Sequence, residues 1–439
     1  MQSIGDKMKQ NNQPLIEFNQ KLPKLSKNES QVLKLLVEAG RLIIPVYLEQ
    51  EKQVDLKIDK KEVEQVAKKD PNILSSYSVI EKLDGKLIAI PYHVKYAKFL
   101  KPIAEKLEEA AKLTENKEFG KALKIQAKAL LDGTYEQAIA AWLKVKPYIL
   151  DISIGPVEHF DDQLFSGKAS YQAWVGTLDT EGTKRLNRYK TITLSARRKA
   201  LEAQERIDNL DKVKAKTIDV ILFSGFMAKA KFVGVNFPMN INTVKKYGSE
   251  ITIFNQPNDL RLKEQIMPTF QNIFSKFFRG GFSSEDIRRG NLRYIALHEL
   301  AHSYLYYKNA VANLKDLFIS IYELAATVLG LRMAGLLLLE DVITSKQLES
   351  MIVTFLCRSF YLVRQHKQDR FMVNRALGSA IFINYMRESG ALKQSRGLIV
   401  PNFMKIFVSS HELSNTLERL LSSGTRQDAQ DFIKKYGES

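Results

Sequence analysis

His298-Glu299-Leu300-Ala301-His302 sits among Leu292, Ile295, Ala296, Leu297, Leu300 and Ala301, so a helix over this stretch is largely apolar. Such a helix belongs in a core, and it carries two imidazoles and a carboxylate in with it. Buried polar groups need partners, because leaving them unpaired is costly. Residues four apart share a helix face, so both rings can bind one ion. H-E-x-x-H on a helix is a zinc-binding pattern in which the glutamate takes a proton from water. The alternative, a helix with two surface histidines, fits poorly with these flanks. Only six histidines occur in 439 residues, which makes a chance pattern rare.

Two histidines leave a catalytic site incomplete; three protein ligands and one open position are expected. Leu314 to Leu339 is predicted as a helix with a core stripe of Leu314, Leu317, Ile321, Leu324, Val328 and Leu331. Beside it runs a small and polar stripe: Asp316, Ser320, Glu323, Thr327, Gly330 and Ala334. Glu323 is the only carboxylate in the middle of this helix, and a glutamate some twenty residues past the motif suits the third ligand. A glutamate on a solvated face is the other reading, weakened by the small residues beside it. Thr327, one turn on, is placed to orient a ligand histidine through its second ring nitrogen, more weakly than a carboxylate would.

A length of 439 residues exceeds what one compact core usually holds, so two or three lobes are expected. The single cysteine, Cys357, excludes an internal disulfide and a cysteine-based zinc site, and its apolar run suggests a small core residue. Residues 1–20 hold no signal-like apolar stretch, and the run Leu336–Leu339, broken by Arg332 and Glu340, is too short to span a bilayer. The expected location is cytoplasmic, with no membrane partner. A formal charge of +17 raises nucleic acid as a partner. However, lysines alternate with glutamates, as in Lys60-Lys61-Glu62-Val63-Glu64, and Arg197-Arg198-Lys199 is short, so solvated faces are read here and no nucleic acid is expected.

Four segments are expected: a loose arm over 1–27, a mainly helical region over 28–150, a mixed α/β substrate-facing region over 151–285, and a helical zinc-binding domain over 286–439. Lys86–Ile90 after the Asp84-Gly85 turn, Thr217–Phe223 and Glu250–Phe254 read as strands. From Asn291 to about Tyr436 the pattern is helical almost throughout. Of Tyr304, Tyr306 and Tyr307, one could donate to an oxyanion while core packing suits at least two. His411-Glu412 starts like a second zinc motif but has Asn415 where a histidine is needed. His93 and His366 read as structural.

With these residues placed, the chain resembles the dipeptidyl peptidase III family of zinc metallopeptidases, especially its shorter bacterial relatives. Ile154-Gly155-Pro156-Val157-Glu158-His159-Phe160, then Asp162, Leu164-Phe165 and Lys168-Ala169, is similar to the family segment I-G-P-x-E-x-Y-x-D-x-L-F-G-x-K-A. Val235-Asn236-Phe237-Pro238-Met239-Asn240 resembles its N-L-P-N-D loop, and Tyr322-Glu323-Leu324-Ala325-Ala326-Thr327 falls at its E-E-x-x-A-D motif. The likeness covers about residues 30 to 437. It implies Glu323 as ligand, Glu158 as the group meeting a substrate's free amino end (or a partner for nearby lysines), and Asn236 and Asn240 on the substrate backbone. The chain departs from the family at Phe160, which lacks a phenol, and at Met239, Asn240, Tyr322 and Thr327. Arg375 falls near a family histidine and could supply the missing oxyanion donor, as could a tyrosine.

The resemblance implies a mostly α fold with a smaller mixed α/β part, a two-lobed zinc metallopeptidase with its zinc site on a helical lobe facing a cleft. One Zn2+ per chain is expected on His298, His302 and Glu323, with Glu299 as general base and Arg375 as a second catalytic residue. Short peptides are the expected partners, hydrolysed in an exopeptidase-like manner with altered specificity. The rival is a zinc-containing binding protein that has lost efficient turnover.

Overall fold

The computed structural model describes residues 14–437 apart from 56–57, 161–166, 201–211, 239 and 366–372. It is mostly helical, with a mixed sheet, as expected. The chain divides into two compact units: Met1–Leu178 with Asp219–Phe232, and Asp179–Ile218 with Val233–Ser439. The segment boundaries expected at 150 and 285 do not coincide with these. Leu150–Phe160 and Lys168–Leu178 pair antiparallel and so stay together in the first unit.

In the first unit, Lys27–Arg41 forms a helix capped by the Ser26 side chain, which accepts from the Glu29 amide. Its buried Val32, Leu35, Leu36 and Ala39 recur by threes and fours. Further helices cover Ile43–Glu51, Ala97–Leu113, Lys117–Asp132 and Tyr135–Lys144. Ser78–Leu83 and Lys86–Pro91 form a hairpin whose turn residues, Asp84 and Gly85, both have positive φ, as a tight two-residue turn requires. The N-terminal arm is not loose throughout. Leu15–Glu17 pairs antiparallel with Leu222–Ser224, and the Phe18 ring meets Phe223 edge-on at 5.8 Å. Three residues are too few to show a strand period in sequence.

In the second unit, Val213–Ile218 runs parallel to Ser249–Phe254, and Gly234–Phe237 pairs antiparallel with the same strand. The helices that build the site are Ser284–His302 (the motif helix), Phe318–Leu339 (the glutamate helix), Ser345–Gln365 and Val373–Glu388. Ser283 opens the motif helix with a reciprocal capping box to Asp286.

Two expectations need correction. The glutamate helix starts at Phe318, not near Leu314, because Lys315 takes a positive φ of 53° between two short turns. Leu317 is accordingly only partly buried, while Ile321, Leu324, Val328 and Leu331 are core residues. The late helical run is also interrupted, by a hairpin of Leu392–Ser395 and Leu398–Pro401 turning at Arg396-Gly397. Ala310–Leu339 is long and apolar enough to cross a membrane by length and composition, and 72% of its most apolar window is buried inside the protein. Cys357 is fully buried, as a core residue should be.

Candidate metal centre

Gly330 decides how closely the two ligand-bearing helices approach. A Cβ there would stand 3.1 Å from the Leu297 carbonyl carbon and 3.2 Å from the His298 nitrogen. Only the missing side chain lets the backbones meet at the motif. Glu323, two turns before Gly330, therefore faces the histidines. On another side Gly234 does the same for its strand, since a Cβ would lie 3.0 Å from Glu299 Cγ.

His298, His302 and Glu323 converge, their ligand atoms all within 4.8 Å of one another. The two Nε2 atoms are 3.1 Å apart, and His298 Nε2 is 3.6 Å from Glu323 Oε2. Ligands around 2.0–2.2 Å from a tetrahedral zinc lie roughly 3.3–3.6 Å from each other, so the two separations fall close to those of such a site. His298 Nδ1 lies 3.0 Å from Thr327 Oγ1, the orienting contact expected from the sequence. The Tyr294 ring is also near, its centroid 6.1 Å from that of His298. With Nδ1–H donating to the Thr327 hydroxyl, the His298 Nε2 lone pair is turned into the site. His302 Nδ1 is buried with no hydrogen-bond partner. Its ring is held instead by Tyr322, with centroids 4.7 Å apart, and the Tyr322 hydroxyl donates to the His302 carbonyl at 3.3 Å.

Electrostatics leave all three groups able to bind a cation. Burial, joined by the neighbouring His302, lowers His298 to about 3, and burial lowers His302 as well. Both rings are then neutral near pH 7, and the His298–Glu323 contact is not an ion pair. Burial by itself raises the Glu323 carboxyl, but the Arg375 guanidinium overrides it and takes the group to about 2. Two neutral imidazoles and one carboxylate form a donor set of the kind catalytic zinc sites use.

Arg375 grips Glu323 in a fork, Nη2 to Oε1 at 3.2 Å and Nε to Oε2 at 3.3 Å. The oxyanion role expected of Arg375 is not tested by this contact, which places its guanidinium on a candidate ligand. Glu299 is buried on the motif helix beside both ligands. Asn236, also buried, donates through Nδ2 to the Glu299 carbonyl at 3.1 Å and to Ser303 Oγ at 2.8 Å, while its Oδ1 is buried without a partner. Asn240 caps the helix Ile241–Tyr247, accepting from the Asn242 and Thr243 amides, and is exposed. The side chains of Glu158 and Phe160, and the whole of Met239, lie outside the described residues. Tyr304 and Tyr307 pack in the core and bond Thr193 and Glu418, leaving Tyr306 as the half-buried phenol near Glu299 and Tyr322.

Three nearby residues escaped the sequence reading: Arg261, Arg358 and Tyr294. Arg261, partly buried, lies near Arg358, Tyr294, Arg375 and Glu299. Tyr294 lies one turn before His298, and Arg358 falls on the buried face with Met351, Phe355 and Leu362. A lone arginine on an apolar helix face is itself a readable signal.

No protein-family model matches the sequence. The chain is 24% identical over 374 residues to Nudix hydrolase 3 of Arabidopsis thaliana, an alignment covering 83% of this chain. It spans only 48% of that protein's length. Among solved structures, a DPP III from Caldithrix abyssi superposes with a TM-score of 0.82 at 20% identity, covering 96% of this chain and 92% of that one. The dipeptidyl-peptidase III of Corallococcus sp. strain EGB gives 0.80 at 19% identity, covering 96% and 90%. With a His–His–Glu cluster in its second unit able to hold a metal ion, the chain has the dipeptidyl peptidase III fold.

Proposed function

We propose that this protein is a zinc-dependent peptidase acting on short peptides, with His298, His302 and Glu323 holding the ion. The observation that carries this reading is the convergence of two neutral Nε2 atoms and one ionised carboxylate on a single point. When bound, zinc would polarise the scissile carbonyl and acidify water at the site. The chain supplies the rest. A Glu299 carboxylate oxygen takes the proton from the attacking water and hands it to the leaving amine nitrogen. Thr327 fixes the His298 ring, Arg375 keeps Glu323 ionised, and Asn236 holds the turn of helix carrying Glu299. The fold shared with two dipeptidyl peptidases supports peptide substrates.

The specificity proposed is shifted or relaxed relative to dipeptide release. Glu158 and Asn236 are retained for the substrate's amino end and backbone, but Phe160 and Met239 lack the polar groups the resemblance calls for. Asn240 spends its side chain on a helix cap. A site with fewer fixed hydrogen bonds discriminates less, because a misplaced substrate no longer leaves buried groups unsatisfied.

Metal analysis combined with a peptide-library digest tests this. The parent should carry one zinc and cleave peptides slowly. His298→Ala, His302→Ala and Glu323→Ala should each lose the metal, and Glu299→Gln should keep it while hydrolysis drops about a hundredfold to ten-thousandfold. Zinc bound without cleavage of any library member would favour a binding protein. Full metal retention in Glu323→Ala would overturn the ligand set.

A further inference from the structure

Among the described residues, the three most exposed large hydrophobic side chains are Phe277, Leu339 and Met404, at 96%, 80% and 72%. All three lie in the second unit, and their neighbours in sequence pack together. Phe278, beside Phe277, stacks on Phe403, beside Met404, with centroids 6.1 Å apart. Phe282 closes this aromatic cluster under the Lys346 ammonium, 3.5 Å from its ring. The glutamate helix runs antiparallel to Phe403–Ser423: Arg332 bonds Asn415, while Gly335 meets the Phe407 ring. This crossing sets Leu339, one turn past Gly335, toward the start of that helix, where Met404 lies, and the half-exposed Val408 follows one turn along.

Basic groups border this apolar row. Lys276 and Arg279 flank Phe277, and Lys393 and Lys405 line a pocket of about 430 Å3 whose apolar wall is Val400, Pro401 and Phe403. Glu340 and Asp341 bound the row beyond Leu339, so the positive side is that of Phe277 and the hairpin. The tips stand out from the surface instead of lining a groove. A protein partner would need a shaped recess for each tip, whereas a lipid interface accepts protruding apolar side chains wherever they stand. Lysines beside such tips are attracted to anionic headgroups, and the whole chain carries +17.

We propose that this face docks the protein onto a membrane surface rich in anionic phospholipid, with Phe277, Leu339 and Met404 entering the interface and Lys276, Lys393 and Lys405 meeting headgroup phosphates. Nothing crosses the bilayer in this arrangement, and the metal centre takes no part in it.

Co-sedimentation of the full chain with vesicles tests it. The protein should sediment with phosphatidylcholine–phosphatidylserine vesicles, far less with phosphatidylcholine alone, and progressively less as salt rises. A Phe277→Ser/Met404→Ser double variant and a Lys393→Glu/Lys405→Glu double variant should each bind at least about tenfold more weakly, with unchanged melting temperature and metal content. The proposal fails if the parent ignores anionic vesicles, binds both compositions alike, or is matched by either variant. It fails also if sedimentation velocity shows a dimer that Phe277→Ser/Met404→Ser breaks, since the face would then belong to a second copy.

Discussion

Replacing Thr327 with valine would remove one hydroxyl from the wall of the metal centre and keep nearly the same side-chain shape. That hydroxyl is 3.0 Å from His298 Nδ1. Without it, the His298 ring loses its orienting contact, and a buried N–H is left unsatisfied. Loss of such an outer partner typically weakens metal binding 10- to 100-fold, about 1.4–2.7 kcal/mol. A neutral hydroxyl is worth about 1 kcal/mol as a hydrogen-bond partner, so the effect should lie at the lower end, near tenfold. Competition against a chromophoric chelator reads this directly. Thr327→Ser, which keeps the hydroxyl, should bind zinc within about twofold of the parent. If Thr327→Val also matches the parent, the hydroxyl does not hold the ring.

Gly330→Val should push the glutamate helix off the motif, costing about 1–3 kcal/mol in unfolding measurements and weakening metal binding; an unchanged affinity would show that the contact at Leu297 does not set ligand spacing. Glu418→Ala removes the partner of Arg197, where both side chains are nearly buried, and takes acceptors from Tyr307 and Ser414. A loss of about 3–5 kcal/mol is expected in denaturant titration, with metal content preserved. Burial pushes the Cys357 thiol well up, so it should resist a thiol reagent in the native protein and react fully once unfolded.

The His–His–Glu cluster was legible because its residues stand at fixed spacing. His298 and His302 share a helix face wherever a helix forms, and Glu323 and Thr327 share one on the next helix. What the sequence could not say is how side chains divide their bonds among competing partners. Arg375 looked available for an oxyanion and is engaged by Glu323; Asn240 looked like a substrate contact and caps a helix. Both outcomes depend on which groups the fold brings near, and that is set by long-range packing. The short strand Leu15–Glu17 was hidden for a related reason, since its pairing partner lies some two hundred residues away. Lys315, whose positive φ breaks the expected helix, carries no residue-type signal, as lysine is an ordinary helix former.

The Arg375 fork and the Thr327 hydroxyl bear on how such a protein is made in a cell. Two of the three proposed ligands are already held by a counter-charge and a hydrogen bond that the chain supplies itself. Small zinc domains whose fold depends on the ion collapse when it is withheld. If the cluster takes a metal ion as proposed, a site prepared in this way would let the ion add to a chain already folded, so that withdrawal and resupply would empty and refill it without unfolding.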